Sequence, residues 1–122
     1  MATKLAILDD YQRVALEMAD WSSLPGGPEI TVFDDNLADL DAVASRLEPF
    51  EIIAAMRERT PFPRALFEKL PNLKLLVTTG MRNGAFDMAA AAEHGVTVCG
   101  TGGSSAATEE MIWALIQAVV RQ

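Results

Sequence analysis

Three arginines and two glycine-bearing loops stand where short apolar runs of this chain give way to polar residues. Arg57 and Arg59 lie in Arg57-Glu58-Arg59-Thr60, and Arg82 lies in Thr78-Thr79-Gly80-Met81-Arg82-Asn83-Gly84. Guanidinium forks and free backbone N–H groups bind carboxylate and phosphate well, so this set points to capture of a small anion. The alternative is that these arginines are solvated, or pair with Glu58, Asp9 or Asp10. The second glycine loop, Gly100-Thr101-Gly102-Gly103-Ser104-Ser105, begins like a dinucleotide fingerprint. Ser105 takes the place of its third glycine, and the loop follows the last strand rather than the first. A tight turn into the last helix fits better, with Ser104 or Ser105 as N-cap and Glu109 and Glu110 near the positive helix end.

Other reactive side chains offer less. His94, the only histidine, precedes Gly95 at a helix end, where the helix dipole favours it. No cysteine, serine or acid is arranged around it for catalysis. Cys99 falls within an apolar strand and reads as a small buried hydrophobe. Neither a metal cluster nor a catalytic constellation is expected in this chain.

The elements that must carry the loops recur regularly. Apolar runs at Leu5–Leu8, Ile30–Phe33, Ile52–Met56, Leu75–Val77 and Val96–Cys99 lack polar alternation, as suits strands buried on both faces. Helical spacing lies between them. Val14, Met18 and Trp21 suggest a first helix, and Leu37, Leu40, Val43 or Ala44, and Leu47 a second. Pro63 opens a third that carries Leu66, Phe67 and Leu70. Asp87 caps a fourth, which Gly95 stops. The last helix spans 104–122. Such alternation predicts an α/β fold: a flavodoxin-like, doubly wound, five-stranded parallel sheet of order 2-1-3-4-5 with helices on both faces. Open sheets of this kind bind ligands beyond the carboxyl ends of their strands, where all the loops above fall.

Composition bounds the partners. The net charge of −7 argues against general affinity for nucleic acid. A single cysteine and a first segment without a signal-peptide layout fit a soluble cytoplasmic protein, with no membrane partner. A phosphorelay receiver would share the fold and the acidic pair Asp9-Asp10. It also needs an aspartate after the third strand and a lysine after the fifth; here stand Met56-Arg57 and no lysine beyond Lys74.

From Leu73 the sequence LKLLVTTGMRNGAFDMAAAAEHGVTVCGT, followed by ATEEMIWALIQAVVR, resembles the N-terminal part of the D-isomer-specific 2-hydroxyacid dehydrogenases, the phosphoglycerate dehydrogenase-like enzymes among them. The shared pattern is a strand, a Thr/Ser-x-Gly loop, an Asp opening an Ala-rich helix, Gly-Val-x-Val, and a Thr/Ala-Glu helix. An Arg-x-Arg-Thr-Pro end to the third strand agrees more loosely. The resemblance implies a substrate domain spanning residues 1–122, completed by a Rossmann domain outside this sequence that binds NAD or NADP. It implies hydride transfer at C2 of a 2-hydroxy or 2-oxo acid, with the catalytic Arg, Glu and His outside this chain. By the same resemblance, Gly80, Met81, Arg82 and Asn83 receive the substrate carboxylate, Met81 faces the nicotinamide, and Arg57 belongs to a loop closing over the substrate. Thr108 lies near the docked cofactor. Two departures stand out: Arg82 replaces a second glycine common after strand 4, and Gly100 replaces an asparagine common after strand 5.

The last helix needs partners on its own account. From Met111 to Val120 only Gln117 is polar, so no face is built for water. The run is too short to span a membrane. It reads as an interdomain helix of a two-domain protein, or as the pairing surface of a stand-alone binding or assembly module that forms a homodimer.

Overall fold

The computed structural model describes residues 2–121. Five parallel strands, β1 (Lys4–Ile7), β2 (Glu29–Val32), β3 (Ile52–Ala55), β4 (Leu75–Thr78) and β5 (Thr97–Gly100), form one sheet of order β2-β1-β3-β4-β5. Class and order are as the apolar runs indicate, but α1, α2 and α3 pack together on one face instead of covering both, because the segment expected to be the first helix does not form one. Four α-helices accompany the strands: α1 (Leu40–Leu47), α2 (Arg64–Phe67), α3 (Met88–Glu93) and α4 (Ala106–Val120).

The core lies on one face of the sheet. Ala6, Leu8, Ile53, Ala55 and Leu76 point to that side and meet Val43 and Leu47 of α1, Leu66 and Phe67 of α2, and Ala90 and Ala91 of α3. Period-2 alternation sends Leu5, Ile52, Ala54, Leu75 and Val77 to the opposite face. There the sheet is covered only by Trp21, Leu24, Pro25 and Pro28, which with these strand residues bound a cavity of about 390 Å³. Cys99 shares this face and is exposed, contrary to the burial its apolar strand suggests, because no helix lies over β5 there.

The first expected helix is also absent. Val14, Met18 and Trp21 belong to a segment with two 3-10 turns, Ala15–Glu17 and Trp21–Ser23. Asp10 takes the N–H groups of Val14 and Ala15, at 3.2 and 3.0 Å, and so starts one tight turn. The Asp20 carboxylate accepts from Ser22 N–H and starts the next, while Trp21 Nε1 donates to Ala15 O at 2.8 Å. Local side-chain acceptors therefore outcompete the helical ladder.

Ser105 stands at the N-cap of α4 but its hydroxyl turns to Glu109 and caps no backbone group, while Ser104 Oγ accepts from Ala106 N–H at 3.1 Å. Asp39 and Asp87 accept from Ala42 and Ala90 N–H, each at 2.9 Å, and open α1 and α3. Gly95 ends the α3 region with φ of +69°, a conformation glycine adopts without steric cost. The His94 ring meets the Ala90 carbonyl at 2.8 Å and stacks on Phe67, which gives it a packing role at the helix end. Every described residue of α4 is exposed, including Trp113 at 64% and Val119 at 76%. No helix among the described residues is long and apolar enough to cross a membrane.

Candidate substrate site

The carboxyl ends of β1, β3, β4 and β5 are tied to one another through their loops. Asp9, 1% exposed, accepts from Thr60 Oγ1 at 2.6 Å and Asn36 Nδ2 at 2.9 Å. Arg59 donates to the Asp9 carbonyl at 2.8 Å, and its guanidinium lies 4.5 Å from the Tyr11 ring centre. Asp9 and Asp10 are thus committed to the protein's own donors, and neither carboxylate forms an ion pair with Arg57, Arg59 or Arg82. Of the loop arginines, Arg59 is structural: it fastens the β3 loop to the end of β1.

The β4 loop is held from both sides. Thr101, just past β5, accepts from Gly80 N–H at 2.9 Å, donates to Thr78 O at 3.3 Å, and gives its own N–H to Gly80 O at 2.9 Å. Asn83 donates to Arg57 O at 2.6 Å and Thr78 Oγ1 at 3.0 Å, and accepts from Ala85 N–H. Arg57 N–H in turn donates to Thr79 Oγ1 at 3.1 Å. Thr101 carries no signal in the sequence beyond opening a glycine loop, and its bracing role emerges only from the folded contacts.

Glycine is required at two points of this cradle. A Cβ on Gly80 would lie 2.8 Å from Arg57 Nη1, and the backbone there has φ of +99°. A Cβ on Gly100 would lie 2.8 Å from both Gly80 O and Met81 O. Gly100 is therefore the residue that lets β5 approach the β4 loop closely, which gives its departure from asparagine a physical reason. Arg57 itself has φ of +51°, and its guanidinium lies over Gly80.

The expected anion site is partly redrawn. Gly80 N–H is turned inward to Thr101, and the Asn83 amide is spent on Arg57 and Thr78. The backbone N–H groups of Met81, Arg82 and Asn83 have no partner among the described residues, and the Arg57 guanidinium lies over Gly80, the residue before them. Unpaired N–H groups and a guanidinium are the donor types that bind a carboxylate or phosphate. On the β5 side the loop borders a cavity of about 370 Å³, lined in part by Met81, Arg82, Phe86, Met88 and Val98. Met81 is 72% exposed at its mouth. Thr108 lies on exposed α4 and shares no hydrogen bond with this cradle.

Among the described residues no glycine-rich turn follows β1. That strand runs into Asp9-Asp10-Tyr11, and the Gly102-Gly103 segment leads only to α4. Among the described residues there is also no group of His, Cys, Asp and Glu able to hold a metal ion.

The chain as a whole is similar to known proteins. The pattern of the D-isomer specific 2-hydroxyacid dehydrogenase catalytic domain matches residues 5–113. A hydroxypyruvate reductase from Blautia hydrogenotrophica is 31% identical over 96 residues, covering 78% of this chain and 29% of that protein. The crystal structure of a phosphoglycerate oxidoreductase from Vibrio cholerae is 41% identical, with a TM-score of 0.85 over 95% of this chain and 36% of its own. A pyruvate reductase from Chlamydomonas reinhardtii, at 20% identity and a TM-score of 0.76, shares the fold. The chain spans about a third of the length of these relatives. By sequence pattern and by fold alike, it belongs to the D-isomer specific 2-hydroxyacid dehydrogenase family.

Proposed function

We propose that this chain is the substrate domain of an NAD(P)-dependent oxidoreductase acting on the CH–OH group of a small 2-hydroxy acid, or on the matching 2-oxo acid. The observation that carries the reading is the braced loop with unpaired N–H groups at Met81, Arg82 and Asn83, flanked by Arg57. It sits within the stretch that matches the family's catalytic domain. The substrate carboxylate rests on these N–H groups, and Arg57 supplies a charge-assisted bond. Met81 closes the other side as an exposed apolar surface toward the cofactor. A bound nicotinamide cofactor would supply or accept the hydride. In this reading a further domain holds the cofactor, and no step of hydride transfer falls to the residues described.

The division of labour gives a direct test. Full-length protein with NADH or NADPH should reduce members of a panel of 2-oxo acids, with cofactor absorbance as the readout. The 122-residue chain should turn over none of them. Appreciable turnover by the chain alone would refute the substrate-domain reading.

A second reading draws on the exposure of α4: an assembly module that pairs through this helix. A clean dimer in sedimentation, converted to a folded monomer by Trp113→Glu, would favour it.

A further inference from the structure

A buried carboxylate stands one strand away from the arginine that lies over Gly80. Asp9 follows β1, is 1% exposed and forms no ion pair among the described residues. Its Oδ2 accepts from Thr60 Oγ1 at 2.6 Å and its Oδ1 from Asn36 Nδ2 at 2.9 Å. The first of these has the length of a charge-assisted O–H···O bond. The Asn36 amide also donates to Arg59 O at 3.0 Å, so the loops after β1, β2 and β3 close on one carboxylate. Burying such a group is unfavourable unless it is well bonded, and replacing buried charges by apolar side chains is often neutral for stability. Its presence here asks for a role beyond holding the fold.

Backbone geometry supplies one. Of the non-glycine residues described, Asp9, Arg13 and Arg57 have positive φ, and Asp9 at +57° and Arg57 at +51° follow the neighbouring strands β1 and β3. Aspartate tolerates this region, whereas arginine persists there only where its surroundings over-determine it. On the β4 side Arg57 is fixed by its N–H on Thr79 Oγ1 at 3.1 Å and by Asn83 on its carbonyl at 2.6 Å. On the β1 side the next fixed point is Arg59-Thr60, held by the Asp9 carbonyl and carboxylate. Only Glu58 lies between.

We infer that Asp9 is a positioning residue for substrate binding. Through Thr60 its carboxylate holds the Arg57 backbone, and with it the guanidinium over Gly80. Releasing Thr60 frees Arg57 to return to ordinary backbone angles, and the guanidinium is then no longer fixed beside the β4 loop. The inference rests on the dehydrogenase reading above, in which Arg57 meets the substrate carboxylate, and adds a residue that touches no substrate.

The full-length enzyme is assayed with NADH or NADPH on glyoxylate, pyruvate and hydroxypyruvate, and the acid that wild type reduces best serves for the variants. Asp9→Asn keeps the shape, removes the charge and sets an amide NH2 against a donor. Thr60→Val removes the hydroxyl from the other end of the same bond. Each should raise KM about tenfold, the lower end for a charge-assisted hydrogen bond, with kcat changed far less. Thr60→Ser should recover most of the wild-type KM. In an Arg57→Ala background neither substitution should move KM further, because the effect runs through a side chain already removed. A merely structural role would act alike in both backgrounds. If Asp9→Asn does not fold, the cycle with Thr60→Val decides. An unchanged KM with Arg57 present, or the same rise in both backgrounds, overturns the inference and leaves the dehydrogenase reading standing. No reduction of any of the three acids by wild type, with either cofactor, overturns both.

Discussion

Thr101 carries more of the site's geometry than any residue that would touch the substrate. Its hydroxyl takes Gly80 N–H and reaches Thr78 O, and its N–H meets Gly80 O. Thr101→Val keeps the shape and removes the hydroxyl, so Gly80 N–H loses its partner at a cost of about 0.5–1.5 kcal/mol, since the bond is exposed and water can replace it. Thermal unfolding should show that loss, and substrate KM should rise because the Met81–Asn83 donors are no longer held in line. Thr101→Ser retains the hydroxyl and should restore both. Gly100→Ala acts differently: its Cβ would press on two backbone carbonyls at 2.8 Å, which cannot swing away as a side chain does. We expect it to damage substrate binding more than stability, since the β4 loop can yield outward more easily than the sheet can open. A crystal structure of the variant with an unmoved loop would contradict this.

Element boundaries show how much the sequence could disclose. All five strands lie within one residue of the apolar runs, because strands buried among neighbours need unbroken apolar stretches. Asp87 caps its helix as its position implies, whereas Asp39 starts α1 at Leu40, later than the Leu37 spacing indicates. The segment after β1 was not legible, since Val14, Met18 and Trp21 have helical spacing while Asp10 and Asp20 capture the backbone N–H groups first. Of the site, the loop that holds the anion donors could be read, yet the direction of Gly80 N–H could not. That direction depends on Thr101, 21 residues away. The ion pairs between elements carry a pH signature. Arg46 beside Asp35, Lys74 beside Glu51, and Arg64 beside Glu93 hold these carboxyls below their ordinary range. Carboxyls whose folded values are depressed contribute stability at neutral pH, and that contribution fades as pH falls through those values. Chemical denaturation between about pH 6 and pH 3 should therefore show a falling stability with acid. Asp35→Asn should flatten part of that slope, and the same slope in variant and wild type would dismiss the pair. All three pairs are solvent-exposed, so the effect is modest and shrinks in high salt.

At the scale of the whole molecule, two apolar surfaces lack cover at once. One is α4, whose Met111, Ile112, Trp113, Leu115, Ile116, Val119 and Val120 are each at least 47% exposed. The other is the sheet face of Ile52, Ala54, Leu75 and Val77, roofed only by the Trp21–Pro28 segment. Helix formation by itself cannot account for α4, since isolated helices of about 15 residues are marginal in water. Its stability must come from whatever its apolar surface packs against. The relatives are about three times as long as this chain, and under the substrate-domain reading a second domain would supply that cover. Hydrogen exchange discriminates the possibilities. In full-length protein the amides of α4 should exchange far more slowly than in the 122-residue chain, and Trp113 fluorescence should shift to the blue as the indole leaves water. Equal and fast exchange in both would mean that α4 meets no second body, and with it the case for a helix lying between two domains would fail. Slow exchange in the 122-residue chain that speeds up on dilution would instead mean that copies of the chain cover one another. Trp113→Glu should then abolish that concentration dependence, because a carboxylate at the centre of a packed apolar contact must either be desolvated or keep the two copies apart.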